Sequence, residues 1–198
     1  MSTMHIVIDL ETLGTGPRAP IVALGAAAIM DTVDPDALAP VLPIPFYSRV
    51  RPISLADYEV DLATIQWWLQ QSETARAELF EDASEATVSD VLRKFNQWMV
   101  DLPKADRIYV YGNAASFDLT ILSHAYQVEG LPKPWTYKQE RCFRTIRSMV
   151  KDFFPLSYAE ELNSLGLEAH HAGDDAMREA LELEHLLRIL NLWNREGA

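Results

Sequence analysis

The chain has 198 residues, 48% of them hydrophobic and 23% charged, which suits the core of one medium globular domain and excludes a disordered or fibrous polymer. A net charge of −12 argues against general duplex binding through Lys and Arg, although a protein that handles one strand end through bound cations can stay acidic. One cysteine, Cys142, excludes an internal disulfide framework and the usual thiolate zinc site; with no bilayer-length apolar run and no leader pattern, a cytoplasmic setting is expected.

In chain order, MHIVIDL is a nearly continuous apolar run, as in a strand buried on both faces. PIVALGAAAIM is a second strand, with Gly25 and small residues that permit close packing, and FYSRVRPI alternates as a third, stopped by Pro52. Their short connections predict an antiparallel meander. The proline-rich DTVDPDALAPVLPIP between the last two is a loop. It is not a calcium loop, since the central glycine is missing and Leu42 stands where the closing glutamate is needed. DLATIQWWLQQS predicts a helix with Leu62, Ile65 and Leu69 on its apolar stripe. SEATVSDVLRKFNQWMVDL predicts a clearer one, with Val88, Val91, Leu92, Phe95, Trp98, Met99 and Leu102. DRIYVYG is then a buried strand, SFDLTILSHAYQVEG a helix ending at Gly130, and RCFRTIRSMV ambiguous; a long amphipathic helix runs from about Ala172 to Trp193. No repeat or linker divides the chain, so residues 1–198 are expected to form one α/β domain around a mixed sheet.

Four acids stand out against this pattern. Asp9 and Glu11 are two apart on the first strand and therefore point to one face. A buried strand that ends in two same-face acids needs a use for them, because unpaired buried carboxylates are unfavourable. Thr12, Gly14 and Gly16 follow, where the chain can turn and approach a ligand. Asp118 opens the helix after YVYGNAAS, with Ser116 or Asn113 as cap; by itself it could simply compensate the helix dipole. Asp175 lies at the start of the last helix, in HHAGDDAMREA, where His170 or His171 could act as a base, and spacing alone leaves the choice open. Four converging carboxylates can hold two Mg²⁺ or Mn²⁺ ions about 3.5–4 Å apart, the arrangement that activates water against a phosphodiester.

Together the three segments resemble the DEDD superfamily of 3′→5′ exonucleases, in its histidine-bearing branch. The motifs stand here as Asp9-Leu10-Glu11-Thr12, the helix-opening Asp118, and His170-x-Ala172-x-x-Asp175. The D-L-E-T-L-G opening, TIQWWLQQS and the spacing of the last two motifs further resemble a small group that includes a mycobacterial exoribonuclease and phage exonuclease A. The resemblance implies a ribonuclease-H-like fold, a mixed β-sheet flanked by α-helices. It implies two divalent cations held by Asp9, Glu11, Asp118 and Asp175, with Glu11 and His170 catalytic and His170, five before the aspartate, the general base. It also implies release of nucleoside 5′-monophosphates from a single-stranded 3′ end or overhang, and a homodimer. RNA is favoured, with a phage-type exodeoxyribonuclease or a silent nucleic-acid-binding scaffold as alternatives.

Thr12, Leu13, Trp67, Trp68 and Arg141 are the expected substrate contacts. Adjacent Trp67 and Trp68 cannot both face a core, so one is expected at the surface, at a pocket rim or in a dimer contact. Arg141, Arg144 and Arg147 recur every third residue, as along one helix face, and could meet phosphates or pair with the abundant acids, with at least one pairing. His5, His124 and His185 are expected to be structural.

Overall fold

The computed structural model describes residues 2–31, 42–51, 57–80, 86–154 and 165–196. Five strands form one sheet in the order β3-β2-β1-β4-β5. They are β1 (Thr3–Thr12), β2 (Ile21–Asp31), β3 (Ile44–Arg49), β4 (Arg107–Gly112) and β5 (Glu140–Cys142). β1, β2 and β3 make the expected antiparallel meander, while β4 runs parallel to β1 and β5 parallel to β4, so the sheet is mixed. Pro52 and the proline-rich stretch from Thr32 to Val41 lie outside the described residues.

The two-residue period of β1 divides the core. Met4, Ile6, Ile8 and Leu10 pack with Val91, Leu92 and Phe95 of α3 (Val88–Asp101) and Leu119, Ile121 and Leu122 of α4 (Asp118–Val128). Val7, on the opposite face, packs with Phe143 and Val150 of α5 (Phe143–Phe153) and with Ala176, Ala180, Leu183 and Leu186 of α6 (Ala172–Glu196). Asp9 and Glu11 share the parity of Val7 and so belong to the α6 side. This α/β architecture, a mixed sheet with helices on both faces, is the ribonuclease-H-like arrangement expected.

The α3 stripe holds as expected. Val91, Leu92 and Phe95 are buried, and Val88, Trp98, Met99 and Leu102 pack against them. Its start is a capping box, in which Thr87 Oγ1 accepts from the Asp90 amide at 3.2 Å and Asp90 Oδ2 accepts from the Thr87 amide at 2.9 Å. Thr87→Ala is expected to lower the Tm by roughly 2–4 °C in a thermal melt, the usual consequence of losing a cap in a chain of this size. α4 ends where expected, with Gly130 beyond it at φ 61°.

Other helices depart from the periodicity. α1 (Leu62–Trp68) exposes Leu62 and Leu69, and Trp68 is the residue it buries, so its inward face is turned away from the anticipated stripe. The cause is local: Asp61 caps the helix through the Ala63 amide, and the Trp68 indole nitrogen donates to the Thr12 carbonyl at 3.0 Å. α2 (Glu73–Phe80) is not signalled by the apolar pattern, because its apolar residues do not fall on one stripe. The ambiguous RCFRTIRSMV resolves into the end of β5 followed by α5. Arg141 is therefore on a strand and Arg144 and Arg147 on a helix, and the three share no helix face. Arg147 does pair with an acid, Glu182, at 2.7 Å. His5, buried in the sheet, hydrogen-bonds the Tyr111 hydroxyl at 2.8 Å, and His124 packs edge-on to Tyr58. No described helix is long and apolar enough to cross a membrane.

Candidate active site

β1 and β4 are parallel, with Ile8 opposite Gly112, so both strands end at the same edge of the sheet. Ligand clefts in α/β sheets form at such carboxyl ends. Asp9 and Glu11 lie at the end of β1. The chain leaving β4 turns through residues 113–117 and opens α4 on Asp118, which is buried. Neither Ser116 nor Asn113 caps that helix: the N-cap is Phe117, without a side-chain bond, and the Asn113 amide is spent elsewhere. Gly112 leaves the room that Asp118 fills, since a Cβ there would stand 2.8 Å from its Oδ2.

The third segment arrives on α6. Asp9 pairs across the sheet with Gly25 of β2, and a Cβ at Gly25 would lie 2.0 Å from the Ala172 carbonyl oxygen. The first turn of α6 thus rests directly on the bare backbone of Gly25, which brings Asp175 over the strand acids. Asp9, Glu11 and Asp175 each offer a carboxylate oxygen within 4.8 Å of the other two. Asp118 lies outside that triple but beside Asp9. Burial first, then Asp118, Glu11, Glu179 and Asp175, push the Asp9 carboxyl well above the usual range. Burial raises Asp118 to about 7, against the pull of its own amide and the backbone of Leu10, Ala114 and Asn113. So many mutually repelling oxygens in one place fit a hard divalent cation, which binds oxygen ligands and cancels the repulsion.

The two histidines separate. His170 has φ 64°, in the left-handed region, and this conformation points its amide at Asp175 Oδ2, 2.9 Å away. Its ring faces the cleft, edge-on to Trp67 at 4.9 Å between centroids, and among the described residues nothing hydrogen-bonds its nitrogens. His171 instead packs tilted against Tyr47, with 4.5 Å between ring centroids, and its Nδ1 accepts from the Asp174 amide. Arg178, one turn along α6, holds the other oxygen of Asp175 and also donates to the Leu167 carbonyl at 3.0 Å. Partners that orient a ligand carboxylate typically carry 10–100-fold in metal affinity or activity. Arg178→Ala is expected to lower kcat by roughly that factor, in a steady-state assay, with little change in KM.

A cleft of about 490 Å³ collects these groups: Asp9, Glu11, His170 and Asp175 line it with Thr12, Gly14, Phe117, Trp67 and Trp68. Trp67 is 42% exposed and Trp68 is buried, so one of the pair does reach the surface. The Thr12 hydroxyl donates to the Gly14 carbonyl at 2.7 Å. Gly14 and Gly16 turn without positive φ, and Gly16 is exposed with open space around it. Leu13 is half-buried and outside the cleft lining, its backbone tied to Pro20 and Asp61. Arg141 is not brought to the cleft. On β5 its guanidinium bonds the Lys138 and Glu140 carbonyls and covers Tyr109 at 4.2 Å, so it is already engaged.

Sequence reasoning missed Glu179. It is buried on α6, four residues after Asp175 and hence on the same face, a spacing that could have revealed it.

A mixed sheet whose parallel strand ends carry converging acids, met by a further acid in the first turn of the last helix and a histidine just before it, is a ribonuclease-H-like architecture with a nuclease-type acid cluster. The chain belongs to the family described as the 3'-5' exoribonuclease Rv2179c-like domain, whose model matches residues 4–187. No curated protein matches it. Similar solved structures include cell-death related nuclease 4 (CRN-4), with TM-score 0.62, 14% identity, and 94% of this chain and 64% of that one covered. The nuclease domain of 3'hExo, a DEDDh family member bound to rAMP, gives TM-score 0.56 and 16% identity, with 94% and 90% covered. An E. coli ExoI–ssDNA complex in its zinc-bound form gives 0.62 and 15%, with 94% and 40% covered. The chain therefore spans less than two thirds of the first and third of these proteins.

Proposed function

We propose that this chain is a metal-dependent 3′→5′ exonuclease that removes nucleoside 5′-monophosphates from single-stranded 3′ ends, with RNA as its substrate. The observation that carries the reading is the meeting of Asp9, Glu11 and Asp175 within 4.8 Å, in a cleft that also contains the His170 ring. The exoribonuclease description of its family supports RNA, and the ssDNA-bound neighbour keeps DNA as the alternative.

Asp9, Glu11 and Asp175 would hold one Mg²⁺ or Mn²⁺ ion, and Asp9 with Asp118 a second. When bound, such ions lower the pKa of water and stabilise charge on the phosphate and on the leaving oxygen. The remaining work belongs to the protein. A ring nitrogen of His170 takes the proton of the attacking water as its oxygen bonds to phosphorus. The phosphorus–O3′ bond to the preceding nucleotide breaks, and the freed 3′-oxygen takes a proton from solvent. The His170 amide and Arg178 hold Asp175 from both sides, so base and carboxylate keep one relation. The exposed Trp67 ring stacks on the terminal base, which is worth about 1–3 kcal/mol per base. Trp68, anchored to the Thr12 carbonyl, holds that ring in place. With the Thr12 hydroxyl internally bonded, the 12–14 turn offers its backbone to the substrate. The same reading includes a homodimer, for which Met149 and Phe153, exposed on α5, offer an apolar face; sedimentation equilibrium tests it.

The deciding experiment incubates 5′-labelled RNA and DNA of one sequence with Mg²⁺ or Mn²⁺, beside Glu11→Gln. A ladder shortening from the 3′ end, faster on RNA and absent in the variant, is expected. No shortening of either strand would leave a binding scaffold; faster DNA loss would reverse the choice of sugar.

A further inference from the structure

The acid set of the proposed reaction does not account for Glu179. This residue is 6% exposed. Its Oε1 accepts a short hydrogen bond from the Asn113 side-chain amide. Its Oε2 is fully buried and has no hydrogen-bond partner among the described residues. An unpartnered buried carboxylate oxygen is unfavourable unless something of opposite charge or a proton meets it. The cation that acts on Glu179 is Arg147, whose ion pair at 2.7 Å is with Glu182. Asn113, which holds Oε1, directly follows Gly112, where a Cβ would stand 2.8 Å from Asp118 Oδ2, so Glu179 lies on the Asp118 side of the acids; burial first, then Asp118, raise its carboxyl to about 8. Glu179 also acts on Asp9, beside Asp118, Glu11 and Asp175.

Resting on the cation-binding reading above, we infer that Glu179 is a fifth acid of the metal site, its Oε2 contributing negative charge on the Asp118 side while its Oε1 fastens α6 to the turn that carries Asp118. The second part follows from Asn113. Its side chain reaches α6, and its own carbonyl accepts from the Arg144 amide at 3.0 Å, so one residue at the end of β4 joins α5 and α6 just ahead of α4. Asp175 and Asp118 arrive on separate elements. The Glu179–Asn113 bond ties α6 to the turn that leads into α4, and the second oxygen would add charge on the Asp118 side, outside the triple of Asp9, Glu11 and Asp175. A purely structural glutamate would need only Oε1. Glutamine would serve that role equally well, since its amide oxygen accepts from Asn113 in the same way.

Glu179→Gln is therefore the informative variant: it keeps the acceptor for Asn113 and removes the charge. Mn²⁺ binding is measured by calorimetry on the full chain, with no nucleic acid present, and the Tm is measured with and without Mn²⁺. The expected result is a loss of at least tenfold in Mn²⁺ affinity, the scale on which supporting groups act, together with a metal-free Tm above that of the wild type because repulsion is relieved. Glu179→Ala is expected to lose the affinity as well and to lower the metal-free Tm, since it also cuts the Asn113 tie. Wild-type Mn²⁺ affinity in Glu179→Gln would overturn the inference and leave Glu179 as a structural acceptor. A wild-type protein that binds no Mn²⁺ would overturn it together with the cation-binding reading. One that binds Mn²⁺ yet shortens no strand would fell only the proposed activity, because the Glu179 comparison needs no substrate.

Discussion

Gly25→Ala is expected to reduce exonuclease activity by about 100-fold or more while leaving every acid in the sequence untouched. The added methyl group would stand 2.0 Å from the carbonyl oxygen of Ala172, 2.2 Å from its carbonyl carbon and 2.5 Å from the amide nitrogen of Gly173. All three are backbone atoms at the start of α6, and no side-chain rotation clears them. The helix must move, and Asp175, three residues beyond Ala172, moves with it. Asp9 is the residue paired with Gly25, so the displacement opens the Asp9–Asp175 separation that a cation would bridge. A misplacement of about 1 Å is enough to remove two orders of magnitude from a positioned reaction. The same overpacking is expected to destabilise the chain by about 1–3 kcal/mol, so the melt and the assay are read together. Gly16→Ala is the control, because nothing lies within 4 Å of a Cβ there. Full activity in Gly25→Ala would mean that the seat of α6 on β2 does not set the site.

Replacing His170 is expected to lower kcat by roughly 10²–10⁴, the range carried by a general base, with Mn²⁺ affinity unchanged within a few-fold. Asparagine is the better substitute than alanine. The residue stands at φ 64°, where asparagine is tolerated and an alanine is strained. The amide bond from this position to Asp175 survives either change, since it comes from the backbone. His171→Ala is expected to keep nearly the wild-type rate, with a lower Tm from the lost ring contact with Tyr47. Single-turnover rates on labelled RNA, beside calorimetric Mn²⁺ titration, separate the outcomes. An equal loss of metal affinity in His170→Asn would make His170 a ligand, and a crippled His171→Ala would move the base by one residue.

Much of this was legible along the chain, for reasons that can be traced residue by residue. Two-residue alternation in β1 puts Asp9 and Glu11 on one face whatever that face meets. The stripe from Val88 to Leu102 has enough turns to bury one side against any apolar sheet, and α3 does so. The order of the motifs, with a histidine five residues before the last aspartate, was enough to suggest the family that the match over residues 4–187 shows.

Where segments are short, local pattern lost to tertiary contact. Leu62 and Leu69 look like the inner face of α1, but the bond from Trp68 to the Thr12 carbonyl and the Asp61 cap turn the helix so that both leucines meet solvent. Three residues of β5 carry too little periodicity to be recognised. Their pairing with β4 places Arg141 over Tyr109, away from the cleft.

Local spacing sets which side chains lie on a common face, and hence that the acids and one histidine could act together. Which of them meet depends on contacts between distant segments. Alternation and helical spacing are properties of a few neighbouring residues, whereas the approach of Asp175 to Asp9 depends on α6 crossing β2 at the one residue without a side chain, Gly25. The separation of His170 from His171 depends on a backbone angle that neither imidazole encodes. Glu179 is placed by the same helix, which carries it one turn beyond Asp175 to where its second oxygen is buried without a hydrogen-bond partner among the described residues.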